Sequence, residues 1–148
     1  MALTANKKVY AWGSNHYGQL GLGHKDYIYY PEEISFFTDR NIVDIDSGRF
    51  HSIALSRDGQ VYTWGLSSDC QGAKNYLPEE ISFFNDKEVL AISASTHSSF
   101  VFTKNKIYHL GHQTHEDCAQ IKELDFLTDK NIISVEAGWF HFLALSKD

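Results

Sequence analysis

The chain is predicted to be all-β, made of propeller-type blades of four short antiparallel strands, with about three repeats forming an incomplete propeller. Two internal repeats predict this. A hairpin pattern, GRFHSIALSRDGQVYTWG from Gly48 to Gly65, recurs in part as VYAWG from Val9, as STHSSFVFTKNKIYHLG from Ser95 and as GWFHFLALSKD from Gly138. A second segment, PEEISFF, stands at Pro31 and again at Pro78, and IKELDFL at Ile121 keeps its pattern, at offsets of 47 and then 43 residues. A period of this size marks stacked supersecondary units, none of which can bury its apolar face alone.

The elements follow in order from local chemistry. Arg57-Asp58-Gly59 joins two β-prone runs, His51 to Ser56 and Gln60 to Trp64. An Asp-Gly step between such runs closes a hairpin, because glycine accepts the positive φ of a tight turn. Each PEEISFF-like segment leads through a polar turn into a β-branched run, giving TDRNIVDI from Thr38, NDKEVLAI from Asn85 and TDKNIISV from Thr128. Strands are therefore expected near residues 8–12, 33–36, 42–47, 51–56, 60–64, 80–83, 89–94, 98–103, 106–110, 121–125, 132–136 and 141–146. Cys118, Ile121 and Leu124 also fit helical spacing, but the repeat alignment puts residues 121–124 on a strand.

About four strands per repeat is the content of one propeller blade. With IVDI, HSIAL, VYTWG and PEEI running from the inside of a blade to its outside, the chain begins with an outer half blade. It continues through complete blades over residues 42–84 and 89–127 and finishes with an inner half. Residues 1–148 read as a single repeat domain, with repeats at approximately 9–58, 61–104 and 107–148. Propeller rings usually need at least about four blades. Three states stay open: a crescent, a piece of a longer protein, or a homo-oligomer in which unpaired blade edges meet between chains.

Bulk properties narrow the function. At 43% hydrophobic and 14% aromatic residues the chain suits a packed β protein and not a disordered one. Its length allows about 70% of the unfolded surface to be buried. A net charge of −6 without any run of lysine or arginine argues against direct nucleic-acid binding, which needs a basic face. The start, MALTANKKVYAWG, lacks an apolar stretch after its lysines, so neither a signal peptide nor a membrane span is expected. Cys70 and Cys118 then read as reduced thiols of a cytoplasmic or nuclear protein.

A VYxWG strand, a loop containing Gly13-Ser14-Asn15 and Gly18-Gln19-Leu20-Gly21-Leu22-Gly23, a proline-led strand and then IxxIxxGxxHSxALxxDG follow one another here. This order resembles the regulator of chromosome condensation repeat family, from Val9 to Asp148. The first repeat fits best. The second keeps VYTWG but loses the glycine loop, and the third also replaces its tryptophan with Leu110. The resemblance implies a β-propeller, commonly of seven blades, that acts as a non-enzymatic protein-interaction module. It also implies two alternatives: a guanine-nucleotide exchange factor for a Ran-like small GTPase, or a fragment of a larger repeat-containing protein such as a ubiquitin ligase. In the exchange factor, the loops holding GxxH line the ring face that meets the GTPase. Carried over, this marks Arg49, Phe50, His51, Trp139, Phe140 and His141 as partner-binding, while Ser98 stands where the third histidine would be.

The remaining motifs yield to structural readings. Gly18 to Gly23 lacks the helix start and the GK[ST] of a phosphate cradle, so it reads as tight turns between blade strands. His109, His112, His115 and Cys118 step by three, which puts neighbours on opposite faces of a strand and fits no usual zinc spacing. No metal or other cofactor is expected. His51 and His141 recur in register, as structural histidines bonded to a neighbouring blade's backbone would. Gly138-Trp139-Phe140-His141 also resembles the GWxH signature of the ultraviolet-B photoreceptor in this family, but it occurs once, and Trp12 and Trp64 read as core aromatics. No nucleophile elbow, HExxH motif or placed acid pair is present, so no catalytic residue is assigned.

Overall fold

The computed structural model describes residues 1–66, 74–111, 121–125, 130, 132–138 and 141–147. Cys70, His112, His115, Cys118, Trp139 and Phe140 lie outside the described residues. The first sheet joins β1 (Ala2–Leu3), β2 (Val9–Gly13) and β3 (Ile28–Glu33) in that order. The second has the order β4 (Ile42–Ser47), β5 (His51–Ser56), β6 (Val61–Leu66), β7 (Lys74–Glu80). The third repeats it with β8 (Val89–Ala94), β9 (Ser98–Thr103), β10 (Ile107–Gly111) and β11 (Lys122–Glu123). A fourth pairs β12 (Ile132–Ala137) with β13 (Phe142–Ser146). Every pairing is antiparallel. The inner strands β4, β8 and β12 succeed one another in space, so the sheets stack as blades.

The hairpin forms as its sequence requires. Leu55 faces Val61 and Ala54 faces Tyr62, with Gly59 at φ 84° in the turn. The first sheet copies it in a form the sequence reading missed: Leu3 faces Val9, Ala2 faces Tyr10, and Lys7 at φ 67° takes the place of Gly59. Thr4 steadies that turn, its Oγ1 accepting from the Lys8 amide at 3.0 Å, as Ser56 Oγ accepts from the Gln60 amide at 3.0 Å.

The PEEISFF segments differ from expectation. The strands end at Glu33 and Glu80, and Ser35–Phe37 and Ser82–Phe84 are 3-10 turns. A continued strand would send adjacent phenylalanines to opposite faces. The turn instead brings Phe36 and Phe37 together on Tyr62, at 5.8 and 5.5 Å between ring centroids, and Phe83 and Phe84 on Tyr108 at 5.4 and 5.5 Å. The strands also start earlier than expected, at Ile28 and Lys74, because a bulge sets Tyr29, Tyr30 and Pro31 opposite Trp12 alone, and Tyr76, Leu77 and Pro78 opposite Trp64 alone. Proline has no N–H to donate, so a bulge is where a strand tolerates it.

The core lies between sheets. Every residue of β5 is buried, with Ala54 turned toward the first sheet and Ile53 and Leu55 toward the third. Trp64 and Phe37 meet at 5.4 Å in the first junction, and Phe84, Val101 and Leu110 fill the second. Phe100, Phe102 and Ile107 form a smaller cluster with Ile132 at the third. Trp12 does not join the core as read from the sequence: it lies on the face of β2 turned away from the second sheet and is 41% exposed.

The glycine loop locks the first junction. Asn15 is fully buried; its amide donates to the His24 carbonyl at 2.8 Å, and its side-chain oxygen accepts from the Leu20 amide at 3.0 Å. A Cβ at Gly21, where φ is +73°, would lie 2.7 Å from Trp64 Nε1. Trp64 Nε1 and Ser52 Oγ each donate to the Gln19 carbonyl at 2.9 Å. Replacing Asn15 with Ala leaves a buried donor and acceptor unpaired and should cost about 2 kcal/mol or more, measured as a fall in the urea midpoint.

Candidate functional site

The GxxH motif has a steric cause. A Cβ at Gly48 would stand 2.4 Å from Cε1 of His51 and 2.2 Å from the Ser95 carbonyl oxygen, so only glycine lets the imidazole fold back and the next sheet approach. The same holds for Gly138, whose Cβ would lie 2.4 Å from Cε1 of His141. In the third sheet both members change together. Ser95 replaces the glycine and Ser98 the histidine, and Ser95 Oγ donates to the Ser98 carbonyl at 3.0 Å while accepting from the Ser98 amide at 3.1 Å.

His51 is 7% exposed, and its Nε2 shares a hydrogen bond of 2.8 Å with Ser99 Oγ of the third sheet. It thus bonds a neighbouring blade through a side chain, where a backbone partner was expected. Close by, an Asp46 carboxylate oxygen accepts from the Ala94 amide at 2.7 Å, and the Arg49 amide donates to the Thr96 carbonyl at 3.3 Å. Burial pushes the His51 pKa down to about 4, against a smaller upward pull from the Asp46 carboxylate. The imidazole is therefore neutral near pH 7 and too weak a base to activate Ser99, which is itself buried.

Of the residues marked in the sequence, Arg49 is exposed and Phe50 half-buried at the loop between β4 and β5, whereas His51 turns inward. His141 is exposed. The structure adds two rings the sequence reading missed. Phe50 packs edge-on against Tyr17 at 4.8 Å and lies tilted against His97 at 5.7 Å, with the Arg49 guanidinium 4.8 Å from the Phe50 centroid. His97 occupies in the third repeat the position of Phe50, so the alignment held its signal; Tyr17, in the glycine loop, had none. Ser47, Gly48, Arg49, Ser95 and Gly138 border an open cleft of about 530 Å³ at the same end of the sheets.

His109, one of the candidate zinc ligands, is buried against Phe100 with Nδ1 unbonded, and burial lowers its pKa. Among the described residues, no three His, Cys, Asp or Glu side chains converge as a metal ligand set. Among them, too, no helix is long and apolar enough to cross a membrane.

Comparison with known proteins agrees with this geometry. The family model of the regulator of chromosome condensation (RCC1) repeat matches residues 7–55, and a second model of the same repeat matches residues 42–71. Residues 7–71 belong to the RCC1 repeat family. The whole chain is 32% identical over 148 residues to human E3 ubiquitin-protein ligase HERC2, of which it spans 2%. A stretch of 72 residues, 48% of the chain, is 39% identical to the human probable E3 ubiquitin-protein ligase HERC6 and covers 7% of it. The fold matches human WBSCR16 with a TM-score of 0.82 at 18% identity, over 98% of this chain and 42% of that one. It matches yeast RCC1 (Prp20), crystallised with Kap60 bound, with a TM-score of 0.75 at 21% identity, over 98% of this chain and 39% of that one. At such identities the likeness concerns the RCC1 propeller fold.

Two outcomes follow. Gly48→Ala should cost about 1–3 kcal/mol of stability by overpacking the junction, read from the urea midpoint. Because the unfolded chain protonates His51 near pH 6.5 and the folded one only near pH 4, the stability contributed by neutral His51 is complete above about pH 6.5 and falls by about 3 kcal/mol on acidification to about pH 4. Urea titrations across that window should show a shallower decline for His51→Gln than for the parent chain.

Proposed function

We propose that the chain is a protein-interaction module of RCC1 repeats, without enzymatic activity of its own, whose partner docks at the end of the sheets that carries Arg49 and Phe50. The observation that carries this reading is the row Tyr17, Phe50 and His97, three rings from three successive sheets in contact with one another, with an exposed arginine over the middle one. Aromatic rings and arginine on a rigid support are what binding hot spots are made of. His51 serves this surface from beneath, fixing the loop that presents Arg49 and Phe50. We also propose His141, Trp139 and Phe140, marked by the family resemblance, as partner-binding residues; Gly138, just before them in the chain, borders the cleft beside Arg49.

Identity across the full chain to a small part of a ubiquitin ligase supports a docking role within, or derived from, a much larger protein. We take residues 1–148 as one repeat domain, acting in the cytoplasm or nucleus on a protein partner and not on nucleic acid or membrane, with pairing of blade edges between copies as its route to oligomers. Exchange on a Ran-like GTPase is the less favoured reading.

With a photo-crosslinking residue at His97, the partner should be captured, and Phe50→Ala should reduce capture by about tenfold, the scale of a hot-spot truncation, without changing the urea midpoint appreciably. Release of labelled nucleotide from a Ran-type GTPase should be unchanged by the chain. Acceleration of that release would replace the module reading with the exchange-factor one.

A further inference from the structure

Cations lie on aromatic rings at both ends of the sheets, and at the hairpin-turn end Arg40 sits over Phe36 and Lys87 over Phe83, each at 4.1 Å. Lysines also meet carboxylates at that end: Lys8 with Glu33 at 2.7 Å, Lys104 with Glu88 at 3.2 Å and Lys106 with Glu123 at 2.6 Å. At the other end, Arg49 and Lys25 lie on rings without a carboxylate partner among the described residues, Arg49 at 4.8 Å from the Phe50 centroid and Lys25 at 5.5 Å from that of Tyr76. Of the acids nearby, Asp46 accepts from the Ala94 amide at 2.7 Å, and Asp26 is exposed with a carboxylate oxygen 3.7 Å from His24 Nδ1.

The two cations lie along one run of rings, Lys25 on Tyr76 at its end and Arg49 on Phe50 within it. Tyr76 presses on the backbone of Gly18, where a Cβ would lie 2.3 Å from its ring. The adjacent Tyr17 meets Phe50 at 4.8 Å, and Phe50 meets His97 at 5.7 Å. A chain of net charge −6 thus keeps on this strip two cations that pair with no carboxylate among the described residues.

Resting on the reading of this end as the docking face, we propose that it binds an acidic, extended segment of a partner protein, whose backbone crosses the rings of Tyr17 and Phe50 while its carboxylates pair with Arg49 and Lys25. An apolar segment would cover the rings and leave both cations unmatched, and a basic one would be repelled. Nucleic acid shares the negative charge, but neutralising successive phosphates calls for a run of cations, and the overall charge opposes it.

The test is fluorescence anisotropy of the full chain with four labelled probes: a short Asp/Glu-rich peptide containing one Phe, its Lys-rich and its Ser/Gln-rich counterparts, and oligothymidylate. The acidic peptide should bind at least about tenfold more tightly than the others, and less tightly as salt rises. Arg49→Glu and Lys25→Glu should each weaken it by about tenfold, while Arg57→Glu, in the hairpin turn at the opposite end, should leave it unchanged. Equal or tighter binding of any other probe, or indifference to Arg49→Glu, overturns the proposal. If a neutral or basic peptide binds and is lost in Phe50→Ala, the docking face stands and only its acidic preference falls. If no probe shows binding sensitive to Phe50→Ala, both fall.

Discussion

Two sheets can stack face to face only where nothing large or unpaired stands between them, and the rest of this molecule is arranged around that condition. The second sheet is covered on both sides, so β5 is buried from His51 to Ser56 and has no solvent face to lend to anything else. Close approach requires Gly48, since a Cβ there would collide with the Ser95 carbonyl of the next sheet. Polar atoms caught in the junctions need partners across them: His51 has Ser99, Asp46 has the Ala94 amide, and Trp64 has the Gln19 carbonyl. Each such bond adds only about 1 kcal/mol net, but each demands one relative position of the two sheets, which apolar contact alone does not.

Because the junctions occupy the strand faces, the proposed recognition falls to the loops at the strand ends. The two ends are not alike. One carries hairpin turns with paired lysines and acids, and the other carries the glycine loop and two short links whose rings, Tyr17, Phe50 and His97, touch from sheet to sheet. The inter-sheet bonds beneath Arg49 and Phe50 hold those loops in place, so the constraint that builds the core also sets the geometry of the exposed surface. The glycine loop takes part in both: its Gln19 carbonyl receives Trp64 and Ser52, and its Tyr17 ring reaches Phe50.

The repeat period, the hairpin around Asp58-Gly59 and the four-stranded unit were legible because glycine turns and alternating β-prone runs leave direct marks in the sequence. PEEISFF misled because alternation says nothing about two adjacent phenylalanines that must face the same neighbour, which a 3-10 turn achieves and a strand cannot. β1 was hidden because Lys7 holds a positive φ where glycine is the usual signal. At the site, GxxH was visible and so was a structural His51 bonded to the neighbouring blade, but not that its partner is the Ser99 side chain and not the backbone. The linked change to Ser95 and Ser98 makes sense only when the glycine and the imidazole are seen to share one space. Tyr17 could not be found without the fold, because its neighbour Phe50 lies on another sheet.

Native-state hydrogen exchange in low urea tests the central claim most directly, that the junction and not the single sheet is the unit of stability. The account predicts that Ala54 in β5 and Val101 in β9 exchange through one common opening, with matching free energies and matching urea dependence. Separate openings, with one strand exchanging freely while the other stays protected, would mean that each sheet stands by itself and would contradict it.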